Sequence, residues 1–473
     1  MNKPDLALSR RALVGMALAA PLAVSGFAKA QSGTFTPEQF GALGDGRSND
    51  RQAFEAMSRA VEARGGGTIV LANKTYLIGS REGRAVPGRG NASSVISLRN
   101  LAGGVRIEGG GATLRASPGG FYGSFDPTSR RALRPKLPHT DPRTATAPYS
   151  FMIYIEASKG PVVIRDLTLD GNIDAMQLGG EWGDTGRQIA MSGIFLRRNS
   201  GSELLERIHT HHHGQDGLMI DGLAASGGVD RVIRSVRAMS NGRQGCSIIG
   251  GSGYVFDNCD FSKTGRASVS SAPGAGVDIE AEGGNVVSRL LFRDCRFVDN
   301  SGCGMVADSG PSRDVRFERC RFAGIAAPSA WPSKPGFVFA DCQFEGAVVK
   351  PFASDAPSEA THFIRCSFRD FGSGLDRTYF GDGAGGPIVD AGGAFGGGRN
   401  VMFGQCTFDL QRSGVLPWTV GSIFEDCSMS QRSTQTAYPR GRYLGTNRIT
   451  GPVDLYGSRI EGMLMVNGRR VTA

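Results

Sequence analysis

No two of the nine cysteines are spaced Cys-x-x-Cys, so the sequence lacks the commonest zinc-binding arrangement. The apolar run at residues 12–24 is shorter than the roughly 20 residues a membrane-spanning helix needs. No basic run interleaved with aromatics stands out, which argues against nucleic acid as a partner. Charged residues make up only 21% of the 473, so the sequence reads as a large core with modest surface charge. What is abundant is glycine, 70 residues without a collagen period, which suits a chain that must turn many times.

Across residues 255–429 one short pattern returns: Phe, two residues, Cys, one residue, Phe. The copies are Phe256, Cys259, Phe261; Phe292, Cys295, Phe297; Phe317, Cys320, Phe322; and Phe339, Cys342, Phe344. Phe363, Cys366, Phe368 and Phe403, Cys406, Phe408 follow, and Phe424, Cys427, Met429 closes the series. A unit this small cannot bury its own apolar residues, so it must stack on its neighbours. Cys and the Phe two positions on face one side of a strand, while the residue between them is polar and faces out. The fold class expected is all-β: a right-handed parallel β-helix in which Cys and Phe form internal ladders. Stacked in this way the thiols stay reduced and act as small buried hydrophobes.

Residues 1–30 predict an export signal. Arg10 and Arg11 precede the apolar run, and Ala28-Lys29-Ala30 offers a small-x-small cleavage site. The arginine pair resembles a twin-arginine signal, which implies periplasmic or secreted protein exported already folded. Lys3, Arg10, Arg11 and Lys29 against Asp5 remove a net three from the formal +9, leaving about +6 on a mature domain 31–473. That excess favours polyanionic partners such as acidic polysaccharides.

Phe40-Gly41-Ala42-Leu43-Gly44-Asp45-Gly46 is followed by a segment at 51–64 with Phe54, Met57 and Val61 on one helical stripe. Gly65-Gly66-Gly67 stops that helix and leads into an apolar strand. A cap spanning about 36–66 would close the open end of the solenoid core. This stretch resembles the N-terminal signature of the pectate-lyase-like superfamily of right-handed β-helices. The resemblance implies fold more than activity, because lyases, hydrolases, epimerases and phage tailspikes share it. The Asn-Thr-Asp, Gly-His-Gly and Arg-Ile-Lys motifs of polygalacturonase-type hydrolases are not reproduced here. Residues 118–148, carrying Arg130, Arg131, Arg134, Lys136 and Arg143, read as a long insertion able to wall a groove for an anionic chain.

A second series aligns on glycine: Gly193, Gly217, Gly245, Gly276 and Gly304, each followed by alternating inward and outward residues. In this alignment the fourth position after glycine, which faces outward, reads Arg197, Asp221, Ile249, Glu280 and Asp308. Asp278, Glu280 and Glu282 then share one side of one strand, with Asp308 one coil away. Carboxylates so close raise one another's pKa and suit glycoside hydrolysis, one as acid and one as base or nucleophile. They suit a Ca²⁺ site equally. Four of the six histidines, His209, His211, His212 and His213, precede Asp216 at the mouth of an aligned strand. A turn there is expected to aim His213 and Asp216 over the groove, with His211 and His212 beside the substrate and Arg243 level with Gln215. A metal site from the histidine run is compatible with the same residues.

The function these residues point to is cleavage of a polysaccharide by an exported enzyme. Hydrolysis would use Glu280 with Asp278 or Asp308. β-Elimination on a uronate polymer would use His213 as base, with Arg243 or Ca²⁺ neutralising the substrate carboxyl. A non-catalytic glycan-binding β-helix is the reading from a different class.

Overall fold

The computed structural model describes residues 33–79, 93–126, 128–133, 144–180, 189–224, 229–326, 328–375, 377–382, 385–391 and 399–471. The export-signal segment, Arg134, Lys136, Arg143 and Glu181-Trp182-Gly183-Asp184 lie outside the described residues.

Short strands recur about every 20 to 40 residues and pair in parallel with the strand one coil on, roughly 4.8 Å away. Each complete coil has three faces. The first is typified by Val287–Arg293, Ser312–Glu318 and Phe337–Ala340, paired in register. After a sharp corner comes the second, typified by Arg296–Val298, Arg321–Ala323 and Gln343–Glu345. The third stacks Ile96–Arg99, Phe151–Glu156, Ser192–Arg197, Asp216–Asp221, Gln244–Ser252, Ala275–Ile279, Met305–Ala307 and Ala330–Pro332. The chain is a right-handed parallel β-helix, and its one described α-helix, Arg51–Ala63, lies at the N-terminal end.

The Phe-x-x-Cys-x-Phe repeat marks the corner between the first and second faces. The first Phe of each copy forms a face-to-face stack, with ring centroids 4.3 Å apart from Phe256 to Phe292, 4.7 Å on to Phe317 and 4.8 Å on to Phe339. The second Phe forms a parallel stack that meets the first edge-on, as Phe322 meets Phe317 at 5.5 Å. Between them each thiol points along the stack to a carbonyl one coil upstream. Cys259 points to Ile233 at 3.3 Å and, from Cys295 on, the carbonyl is that of the preceding Phe, as Cys320 to Phe292 at 3.5 Å and Cys427 to Phe403 at 3.1 Å. All nine cysteines are free and buried, so the ladder is one of thiols rather than disulfides.

The corner itself is made by the residue before each Cys. Asn258, Asp294, Arg319, Asp341, Arg365, Gln405 and Asp426 all adopt left-handed backbone, with φ between 51° and 57°. That conformation costs an L-residue about 1 kcal/mol. Its return is that the N–H turns along the stack, as Asp294 N donates to Glu318 O at 2.9 Å. The exposed side chains there pair between coils, Arg319 with Asp294 at 2.8 Å and Arg365 with Asp341 at 2.7 Å.

Burial pushes the Cys246 thiol well above its ordinary range and raises Cys303 to about 12. Because all nine thiols are buried away from solvent, a thiol reagent at pH 8 is expected to find almost no reactive cysteine in the native chain. All nine should react after denaturation, and fast native labelling of several would contradict this packing.

The cap forms as expected. Phe54, Met57 and Val61 are fully buried beneath the helix, and Phe54 meets Tyr76 edge-on at 5.2 Å. Asp50 accepts the N–H groups of Leu43 (2.7 Å) and Gly44 (3.1 Å), which locks the glycine-rich loop onto the helix start. Arg51, also buried, donates to Glu55 at 2.9 Å and to the carbonyls of Gly79 (3.0 Å), Ser93 (2.7 Å) and Pro148. Residues 118–148 are in part a small sheet, with Phe121–Ser124 between Ala145–Thr146 and Gln177–Gly179. Among the described residues no helix is long and apolar enough to cross a membrane.

Candidate active site on the third face

The glycine-anchored alignment coincides with the observed register. One outward-facing column runs Ser97, Tyr154, Phe195, Met219, Ser247, Asp278, Val306 and Trp331. The fourth column departs from the expected order. A bulge after Ile220 pairs Asp221 with Gly250 instead of Ile249, so Ile249 drops out of the ladder. The bulge uses Gly251 at φ 106°, where an added Cβ would come within 2.8 Å of the Gly222 backbone.

Asp278 lies on the strand Ala275–Ile279 with 4% of its surface exposed. Its Oδ2 accepts from the Gln244 side-chain amide, and among the described residues its buried Oδ1 has no protein partner. Val306 is its register partner in the next coil and Trp331 follows one coil later, while Ser247 pairs with it in the preceding coil and Gln244 bonds it, so its surroundings are apolar on one side and polar on the other. Desolvation first, then repulsion from Glu280, raises the Asp278 carboxyl to about 8, with the Arg243 cation opposing. Asp308 and Asp216 add smaller repulsions.

Glu280 follows the strand, half-buried, and accepts the Ser309 hydroxyl at 2.6 Å. Asp308, the residue before that serine, is exposed just past the strand Met305–Ala307. Glu282 is exposed in the turn beyond the strand, and burial with repulsion from Glu280 raises its pKa. The four carboxylates therefore converge, although only Asp278 belongs to the strand itself. Asp221 is tied to Arg197 (3.2 Å), Arg198 (3.6 Å) and the Asn285 amide (2.9 Å).

The histidine turn is built differently from the expectation. His213 is fully buried with its imidazole inside the coil, where Nδ1 meets the Tyr149 hydroxyl at 2.9 Å. Desolvation holds its pKa well below the ordinary value, so the ring is neutral. Asp216 is also fully buried and bound side-on by Arg243, whose Nε donates to Oδ1 at 2.8 Å while an Nη donates to Oδ2. Arg243 is indeed level with Gln215, its N–H donating to Gln215 O at 2.9 Å, but its guanidinium is engaged by Asp216. The insertion contributes to covering the turn. Tyr122, on its small sheet, donates to Ile189 O and lies 3.0 Å from Gly214 O, and with Tyr149 it covers the turn. His211 and His212 sit at the corner before this lid, beside Asp170 and Asp174 rather than in the carboxylate groove.

Sequence reasoning missed a cleft on this face whose lining does not include the four carboxylates. A cleft of about 620 Å³ opens at the cap end of the same face, lined by Arg59, Glu62, Arg99, Tyr154, Phe195 and Arg197. Phe151, Tyr154 and Phe195 pack ring against ring at its edge, 5.0–5.8 Å apart. Lys350 stands 5.5 Å over the Trp331 ring at the other end. The glycine-anchored alignment contained Phe195, but nothing in it separated a groove aromatic from a packing one.

Residues 153–351 match the family described as right handed beta helix region. The match covers the coils that carry the site. No curated protein matches the sequence. Among solved structures, the A-module of the Azotobacter vinelandii mannuronan C-5 epimerase AlgE4 is 15% identical, with a TM-score of 0.49 over 90% of this chain and 99% of that one. The tailspike protein gp49 of Pseudomonas phage LKA1 is 14% identical, with a TM-score of 0.40 over 91% of this chain and 78% of that one. PfbA, a surface adhesin of Streptococcus pneumoniae, is 11% identical, with a TM-score of 0.35 over 92% and 91%.

Proposed function

We propose that the chain is an exported enzyme, periplasmic or secreted, that cleaves an acidic polysaccharide by glycoside hydrolysis in the groove of the third face. The observation that carries this reading is Asp278, a carboxyl with 4% of its surface exposed and, among the described residues, no protein partner for Oδ1; desolvation and repulsion from Glu280 and Asp308 push it up to about 8. A carboxyl raised this far keeps its proton at neutral pH and can give it to a leaving oxygen. A neighbouring carboxylate supplies the base or nucleophile, and Glu280, oriented by Ser309, has that position. Arg59 at the cleft suits the carboxylate of an acidic sugar, whereas Arg99 and Arg197 are already paired with Glu156, and the aromatic edges suit the apolar faces of sugar rings.

The β-elimination reading asked His213 to act as base and Arg243 to neutralise a substrate carboxyl. With His213 inside the coil and Arg243 bound to Asp216, hydrolysis is the better-supported chemistry. The test is exposure of acidic and neutral polysaccharides to the purified mature chain, with new reducing ends as the read-out. Binding without any product across the panel would leave a glycan-binding β-helix in its place.

A further inference from the structure

At the corner where the second face turns into the third, two coils meet through residues that the hydrolysis reading does not use. Asp170 ends the strand Val162–Asp170 and pairs in register with His211, which ends Glu203–His211. His212 follows in left-handed backbone at φ 55°, which swings its ring back toward its neighbour. The result is that His211 Nδ1 lies 2.7 Å from His212 Nδ1 and 3.6 Å from Asp170 Oδ1. One donor atom from each of the three residues falls within 4.8 Å of the others. Tetrahedral donors around zinc, each at about 2.0–2.1 Å, stand about 3.3 Å apart, so small side-chain rotations suffice.

The surroundings are those of a ligand set. Arg115 Nε takes the other oxygen of Asp170 at 2.7 Å, and the Asn172 N–H at 2.8 Å steadies Oδ1. On the far side of His212, Nε2 is 3.6 Å from Asp174 Oδ2. Asp174 lies in the short turn Ile173–Ala175 and is held through its other oxygen by the Ser268 N–H (2.8 Å) and hydroxyl (2.5 Å). At 3.6 Å the His212–Asp174 contact is longer than a hydrogen bond; closed by a small turn of the ring, it would fix the tautomer in which the near nitrogen offers its lone pair to a metal. Two imidazole nitrogens face to face satisfy each other only if one keeps a proton, whereas a cation uses both lone pairs. The side chains of His211 and His212 are 16% and 36% exposed, so an ion reaches them from solvent.

We propose that Asp170, His211 and His212 bind a divalent first-row transition metal, with zinc fitting the donor set best and Asp174 orienting His212. Three protein ligands leave one position for water or a ligand oxygen, as in sites that do chemistry rather than hold a fold. The proposal stands independently of the carboxylate groove.

The test uses the untagged, chelator-treated full chain, titrated with Zn²⁺ against a chromophoric chelator. One equivalent is expected to bind, and His211→Ala and His212→Ala should each weaken it by about 100-fold or more. Asp174→Asn should weaken it by about 10- to 100-fold while keeping all three ligands. Co²⁺ in the same site should show a visible spectrum without thiolate charge transfer. Absence of stoichiometric zinc, affinity unchanged in both histidine variants, or a thiolate spectrum would each overturn the proposal.

Discussion

Asp278→Asn is expected to lower the rate of polysaccharide cleavage by about 10²- to 10⁴-fold, the range for loss of a general acid. The same substitution is expected to make the protein more stable at neutral pH. Both effects come from one fact: the carboxyl is buried beside other carboxylates and raised to about 8. In the unfolded chain it ionises near 3.8, so folding takes up a proton between roughly pH 4 and pH 8. Stability is therefore lost as pH rises through that window, because the unfolded state gains from ionisation and the folded state does not. An amide has no such slope, and Asn can still accept from Gln244. The gain at pH 7 should be on the order of a few kcal/mol, because each tenfold change in proton affinity is worth about 1.4 kcal/mol. It should shrink toward pH 4. Thermal melts of both proteins at pH 5, 7 and 8 measure it. In the wild type, activity should fall on the alkaline side as Asp278 loses its proton near pH 8. A variant that is less stable at every pH, or fully active, would remove Asp278 from the acid's role.

The second large effect is structural. Phe317→Ala is expected to destabilise the chain by about 3–5 kcal/mol. Its ring is fully buried and sandwiched between Phe292 at 4.7 Å and Phe339 at 4.8 Å, with Phe297 and Phe322 edge-on. No neighbour can fill the gap, because each is held in its own rung of the stack. Arg313→Ala on the same coil, at a side chain 66% exposed, should change stability by no more than about 0.5 kcal/mol. Chemical denaturation of the two variants checks the contrast, and equal losses would contradict the ladder as the main source of stability. Since a solenoid's coils contact only their neighbours, the loss can also appear as an early local transition.

These two sites differ in how legible they were. The Phe and Cys ladders could be read directly, because a repeat that stacks in register writes the same residue into every copy. The third face was legible for a related reason. An inward glycine anchors each strand, so counting from Gly217, Gly245 and Gly276 placed Met219, Ser247 and Asp278 in one column.

What could not be read depends on contacts that have no period. The left-handed corners fall on Asp, Arg, Asn and Gln, none of which announces that backbone as glycine would. The bulge that moves Asp221 from Ile249 to Gly250 is a one-residue irregularity inside an otherwise regular count. His213 and Asp216 were expected in the groove because they precede an aligned strand. His213 is bonded by Tyr149 and its turn by Tyr122, both distant in sequence, while Asp216 is held by Arg243 one coil on. The pairing of Asp170 with His211 likewise spans a whole coil and follows from register, not from any local motif.

The measurement that bears most directly on the central claim follows two signals during digestion of uronate polymers by the mature chain. Reducing ends report every cleavage, and ultraviolet absorbance of an unsaturated uronate reports elimination alone. The expected result is reducing ends without absorbance, and neither signal from Asp278→Asn under the same conditions. Absorbance rising in step with reducing ends, or undiminished cleavage by Asp278→Asn, would contradict hydrolysis by the carboxylate groove.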